Sequence, residues 1–229
     1  LYNMLSRTIY LIRIYLTYVL AFVLMKPLFM LYNHEGYSVS LADVWSVVWH
    51  GFPLDLSTSG YLMAFPLLLM LLSCVVRIPG QKYVLATYYG LTALLVAIIL
   101  MTDCALYPFW QFKLDATVFT YMHSIHTITA NVSLWFMVIG IASILLYAVL
   151  LFLLLLRHSL PSSLKLFQFG SLLPLLLLGG VFFLLIRGGT GKSTMNIGSA
   201  YYSDNQFLNH SAVNPAFNLI ASALKKEDL

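Results

Sequence analysis

The chain has 229 residues, of which 61% are apolar and only 9% charged, with a mean hydropathy of +0.88. A soluble domain carries about 25% charged residues, so a soluble globular fold, a disordered chain and a nucleic-acid-binding module are all excluded. Two cysteines, Cys74 and Cys104, are too few for a disulfide framework, and the net charge of +4 is scattered over loops and tails rather than gathered in a stripe. A polytopic membrane protein remains.

Five stretches reach the roughly 20 apolar residues that a bilayer core requires. They run from about Ile9 to Leu31, Leu54 to Val76, Val84 to Leu106, Leu134 to Leu156, and Phe169 to Ile186. Lipid offers the backbone no hydrogen bonds, so each is predicted as a helix. The first is not a signal peptide: its apolar run is too long, it contains Arg13 and Lys26, and no small-residue cleavage site follows.

Charge orients the spans. Arg7 precedes the first, Arg77 and Lys82 separate the second from the third, and Arg157 and Lys165 separate the fourth from the fifth, all without an acid nearby. The alternate loops hold Glu35, Asp43 and Asp115 with one basic residue, Lys113. The positive-inside rule then puts the N-terminus in the cytoplasm and the C-terminus outside. The outer loops are rich in aromatics, and Leu41–His50 and Ala116–Thr127 read as short helices in the outer interface. The expected fold is all-α: five transmembrane helices with short interfacial helices, N-terminus in and C-terminus out. Residues 1–187 would form the membrane domain and residues 188–229 an extracytoplasmic stalk.

Candidate chemistry is sparse. Arg187-Gly188-Gly189-Thr190-Gly191-Lys192-Ser193-Thr194 fails as a P-loop, because Ile186 stands where the first Gly is needed and a membrane helix, not a strand, precedes it. Arg187 could instead meet a lipid phosphate or simply anchor the interface. Asp55 and Asp103 lie toward the outer ends of the second and third spans. Acids at membrane depth are costly, and these two could pair with Arg187 or Lys113 or form a polar pocket. His123 and His126 share a helix face, but no further ligand stands at metal spacing. Asn131-Val132-Ser133 and Asn209-His210-Ser211 fit the glycosylation pattern. Beyond Arg187 the composition turns to Gly, Ser, Asn and Tyr. Ser203 or Asp204 can cap one short helix there, and Asn214-Pro215 can open the next, with Phe217, Ile220, Ala221 and Leu224 at helical spacing.

Three stretches resemble the N-terminal membrane region of lipoteichoic acid synthase-like proteins, membrane-anchored members of the sulfatase and alkaline phosphatase superfamily. They are Asp55-Leu56-Ser57 with Gly60-Tyr61, Thr102 to Tyr107 with Lys113-Leu114-Asp115, and Ser203 to Asn209 with Asn214 to Phe217. The resemblance implies a bacterial cytoplasmic (inner) membrane location. It also implies a downstream external catalytic domain with a Thr nucleophile and a divalent metal, often manganese. That domain would transfer a phosphoglycerol-type headgroup from a membrane phospholipid or hydrolyse a sulfate or phosphate ester. The chain begins at Leu1 and ends in what reads as an unfinished helix, so it is expected to be part of a longer protein, with no catalytic residue of its own. Asp55, Asp103, Tyr107, Trp110 and Arg187 are the candidates for a lipid-headgroup groove or a domain interface. A non-catalytic scaffold subunit stays open as an alternative. A small transporter is the weaker rival, since neither polar mid-span residues nor internal repeats are evident.

Overall fold

The computed structural model describes residues 2–34, 36–121, 133–158 and 169–227. Among these the chain is helical and contains no strand. The helices are α1 (Tyr2–Asn33), α2 (Leu41–Leu62), α3 (Ala64–Leu72), α4 (Gln81–Trp110), α5 (Thr117–Tyr121), α6 (Leu134–Leu156), α7 (Phe169–Arg187), α8 (Gln206–Ala212) and α9 (Pro215–Glu227). A 3-10 turn at Ile197–Ala200 lies between α7 and α8. Four helices, α1, α4, α6 and α7, are long and apolar enough to cross a membrane, and the bent pair α2–α3 qualifies as a fifth.

Cross-contacts fix the helix directions. Arg7 in α1 reaches Cys74 just beyond α3, while Lys26 reaches Asp55 in α2, so α1 and α2–α3 run antiparallel. Tyr10 bonds Tyr89 and Phe29 packs on Tyr107, so α4 runs parallel to α1. Ser57 donates to the carbonyl of Ile186, and a Cβ on Gly60 would lie 2.7 Å from Ile186. That close approach of α2 and α7 requires glycine. Tyr147 donates to the carbonyl of Ala21, and Thr17 meets His158, which runs α6 against α1. The bundle therefore has a near end, with the start of α1, the turn before α4 and the end of α6. Its far end holds the end of α1, the start of α2 and the ends of α4 and α7.

α1 shows why a helix this apolar stays put. Tyr10, Ile14, Tyr18, Phe22, Met25 and Phe29 recur every three or four residues and are buried in the core. Leu16, Leu20, Leu24 and Leu28 recur every four residues on another face and are all more than half exposed. An apolar face with no protein against it is what a lipid-facing helix presents.

The sequence predicts a short helix at Leu41–His50 and a separate span from Leu54. They form one helix, α2, started by a capping box in which Ser40 Oγ accepts from Asp43 N and the Asp43 carboxylate accepts from Ser40 N. The break comes later, at Met63, where α2 and α3 meet at 41°. Pro66 lies just beyond it and has no N–H to give the carbonyl of Leu62 four residues back. Tyr88 supplies the missing donor, its hydroxyl reaching that carbonyl at 2.7 Å. Of the expected interfacial helix at Ala116–Thr127, only Thr117–Tyr121 is described; the rest, with His123 and His126, lies outside the described residues.

The segment after α7 folds back onto the far end. Ala200, Leu208, Ala212, Val213 and Phe217 form a second apolar core with Met30, Val47 and Leu54. Asn205, rather than Ser203 or Asp204, caps α8, accepting from Phe207 N at 2.9 Å. Asn214-Pro215 opens α9 as expected, with Asn214 Oδ1 accepting from Ala216 N and Phe217 N.

Candidate functional site

Where the C-terminal segment meets the bundle, two buried ion pairs stand close together. Lys26 Nζ, from α1, reaches both oxygens of Asp55 in α2 at 2.6 Å. Asn214 Nδ2 donates to Asp55 Oδ1 at 2.9 Å, while the same side chain's oxygen caps α9. One amide thus ties the start of α9 to a carboxylate inside the bundle. Asp103 in α4 pairs with Lys113, and its other oxygen accepts from Leu114 N at 2.9 Å. Lys113 also lies 3.7 Å above the ring of Phe29, a favourable position for a cation over an aromatic face.

Isolated charges at this depth would be prohibitive, so each acid has been given a lysine and a further hydrogen-bond donor. Between the pairs is a cavity of about 20 Å³, lined by Lys26, Asp103, Lys113, Ser211 and Asn214 among others. It has room for about one water and several polar atoms to hold it.

The docking continues outward. Tyr107 Oη and His210 Nδ1 share a hydrogen bond of 3.1 Å, and the Gln206 amide nitrogen meets the other ring nitrogen at 3.4 Å. Burial, and then the charge of Lys113, hold the imidazole of His210 below its ordinary pKa, against a smaller opposing pull from Asp103. Asn218 Nδ2 donates to the carbonyl of Leu114, and Ser222 Oγ accepts from Ala116 N. Gly51 makes the fit possible. A Cβ there would stand 2.1 Å from the Ala212 carbonyl oxygen and 2.3 Å from Lys26 Cε.

The five candidate residues separate into two groups. Asp55, Asp103 and Tyr107 belong to the buried cluster under the C-terminal segment. Trp110, at the end of α4, stacks on Phe112 at 5.2 Å. Arg187 ends α7 and donates to the Gly191 carbonyl, in a loop where Gly188 and Gly189 take positive φ. Asp103 pairs with Lys113, one of its two expected partners; Asp55 takes Lys26 instead. Lys26, His210, Asn214 and Asn218 join the site without having stood out in the sequence as site residues. A usable signal existed for the first, because a lysine within an apolar span needs a carboxylate from another span.

Among the described residues, no three His, Cys, Asp or Glu side chains stand close enough to hold a metal. Both buried carboxylates are committed to lysines and backbone or amide donors, so the cluster is not a donor set for a divalent ion such as manganese. Compared with known protein families, curated proteins and solved structures, the chain finds no match.

Proposed function

We propose that this chain is the membrane-anchoring and lipid-presenting domain of a sulfatase-superfamily phosphotransferase of the lipoteichoic acid synthase-like kind. It crosses a bacterial cytoplasmic membrane five times, with its N-terminus inside and its C-terminal segment outside. The partner domain moves a phosphoglycerol-type headgroup from a membrane phospholipid, or cleaves a sulfate or phosphate ester, with a divalent metal that the partner domain holds.

One observation carries this reading. The segment after the last apolar helix does not trail away but is locked to the bundle through Asn214 on Asp55, His210 on Tyr107 and Asn218 on Leu114. A locked exit supports an anchor that holds its catalytic partner domain at a set height and orientation over the bilayer. Positioning of this kind is how a remote element contributes to turnover of a bound substrate. The matching stretches of the resemblance, Asp55–Tyr61, Thr102–Asp115 and Ser203–Phe217, are also those that meet here.

The test uses the protein expressed from its whole reading frame. Asn214→Ala and Arg187→Ala should lower turnover of a long-chain phospholipid in vesicles about tenfold and leave hydrolysis of a small soluble ester unchanged. Equal loss on both substrates, or no loss on either, would sink the proposal.

A further inference from the structure

The near end of the bundle carries a one-sided excess of positive charge. Among the described residues, five basic ones, Arg7, Arg13, Arg77, Lys82 and Arg157, stand at or near that end. None of the described acids does: Asp43, Asp55, Asp103, Asp115, Asp204 and Glu227 all lie in segments toward the far end.

One of these residues, Lys82, lines a built space. Between α1, the start of α4 and the end of α6 is a pocket of about 250 Å³. Its walls are apolar at Leu85, Ala86, Leu155 and Leu156, and polar at Tyr10, Tyr89, Lys82 and His158. The charges of Arg13 and Arg157 both reach His158 and, after burial, help to depress its pKa. No side chain caps the N-terminus of α4 and no acid stands in its first turn, so its positive dipole end adds to the same field.

The two tyrosines supply the second observation. Tyr10 and Tyr89 are 4% and 1% exposed, and their hydroxyls share one hydrogen bond of 2.9 Å in which either can donate. Two hydroxyls carry two protons, and the second has no acceptor among the described residues. A buried donor without an acceptor is costly, and an anionic oxygen in the pocket would relieve it.

We propose that this pocket binds the phosphate headgroup of an anionic phospholipid from the leaflet at the near end. Lys82 in the pocket wall meets the phosphate, the charges of Arg13 and Arg157 that act on His158 add to the field there, the spare phenol proton reaches one of its oxygens, and the leucine walls take the start of the acyl region. Basic pockets between membrane helices hold anionic lipids by this combination. The apolar walls favour a lipid over a free anion. The inference depends only on the chain being embedded in a bilayer, and not on the phosphotransferase reading.

Native mass spectrometry and thermal unfolding of the purified full chain test it, with phosphatidylglycerol, phosphatidylcholine of the same acyl length, or free glycerol phosphate. Phosphatidylglycerol alone should be retained and should raise the Tm. The double variant K82Q/R157Q should retain it at least tenfold more weakly, with an unchanged Tm in phosphatidylcholine. Ala86→Phe, which fills the pocket and leaves every charge in place, should have the same effect. K192Q, after α7, should change nothing. Equal retention of phosphatidylcholine, undiminished retention by both pocket variants, or equal protection by free glycerol phosphate would each overturn the proposal.

Discussion

Asp55 is fully enclosed, and its position makes two elements depend on one carboxylate. It neutralises Lys26 inside the bundle and holds Asn214 at the start of α9. Deleting one member of a buried pair leaves the other charge stranded, at a cost of ~3–5 kcal/mol. Asp55→Ala should therefore lower unfolding stability in detergent by about that much. Asn214→Ala, which removes a hydrogen bond to a charged group, should cost about 1.5–3 kcal/mol. If Asp55→Ala proves neutral, the pair is not holding the fold. His210 adds a pH dependence with a definite sign. Its imidazole is held below the ordinary value of about 6.5, so the docked segment favours the neutral ring. That contribution is complete above the ordinary value and is lost as pH falls from there toward the depressed one. Hydrogen-exchange protection over residues 206–218, corrected for intrinsic rates, should fall as pH drops below about 6.5, and His210→Gln should remove the fall.

Among the elements, α2–α3 shows a proline break repaired from outside. Pro66 leaves the carbonyl of Leu62 without its helical partner, and the Tyr88 hydroxyl takes the place. Tyr88→Phe should cost about 1 kcal/mol, because it strands a partly buried carbonyl. In Pro66→Ala the new N–H can serve that carbonyl, so Tyr88→Phe should cost much less in that background. A double-mutant cycle with no coupling would refute the repair. The apolar runs made the spans legible, since α4, α6 and α7 fall where length and hydropathy put them. The joining of Leu41–His50 to the second span was not legible from composition: Gly51-Phe52-Pro53 reads as a boundary, yet the helix passes through it. Packing decided the matter, because Gly51 and Leu54 are both buried against neighbouring elements. The same limit applied to the site. Asp55 and Asp103 stood out as acids in apolar spans, but which lysine each meets depends on helix rotation, and no periodicity in a uniformly apolar helix reports that.

For the whole molecule, the decisive feature is that charge is sorted along the bundle axis. Among the described residues, basic residues without acids flank the near end, while the acids lie toward the far end. Short loops with an excess of Lys and Arg stay on the cytoplasmic side during insertion, and acids contribute little to that choice. The sorting therefore acts as an instruction for insertion and not only as a property of the folded state. It can be removed without touching the core: Arg77, Lys82 and Arg157 lie in or beside the near-end connections, and all three are exposed. A single cysteine at Ser193, in the exposed loop after α7, reports sidedness. The native thiols interfere little, Cys74 being buried and Cys104 partly so. Impermeant maleimide should label Ser193→Cys in intact cells and should not label a cysteine placed at Pro79. Changing Arg77, Lys82 and Arg157 together to Gln should produce a mixed population, with labelling at 193 reduced and labelling at 79 gained. The ion pairs of Asp55 and Asp103 are untouched by these changes, so molecules inserted in the native sense should keep the same unfolding temperature in phosphatidylcholine. Labelling at Pro79 in the unaltered charge background would overturn the proposed orientation, and with it the proposed side of the membrane for the locked C-terminal segment.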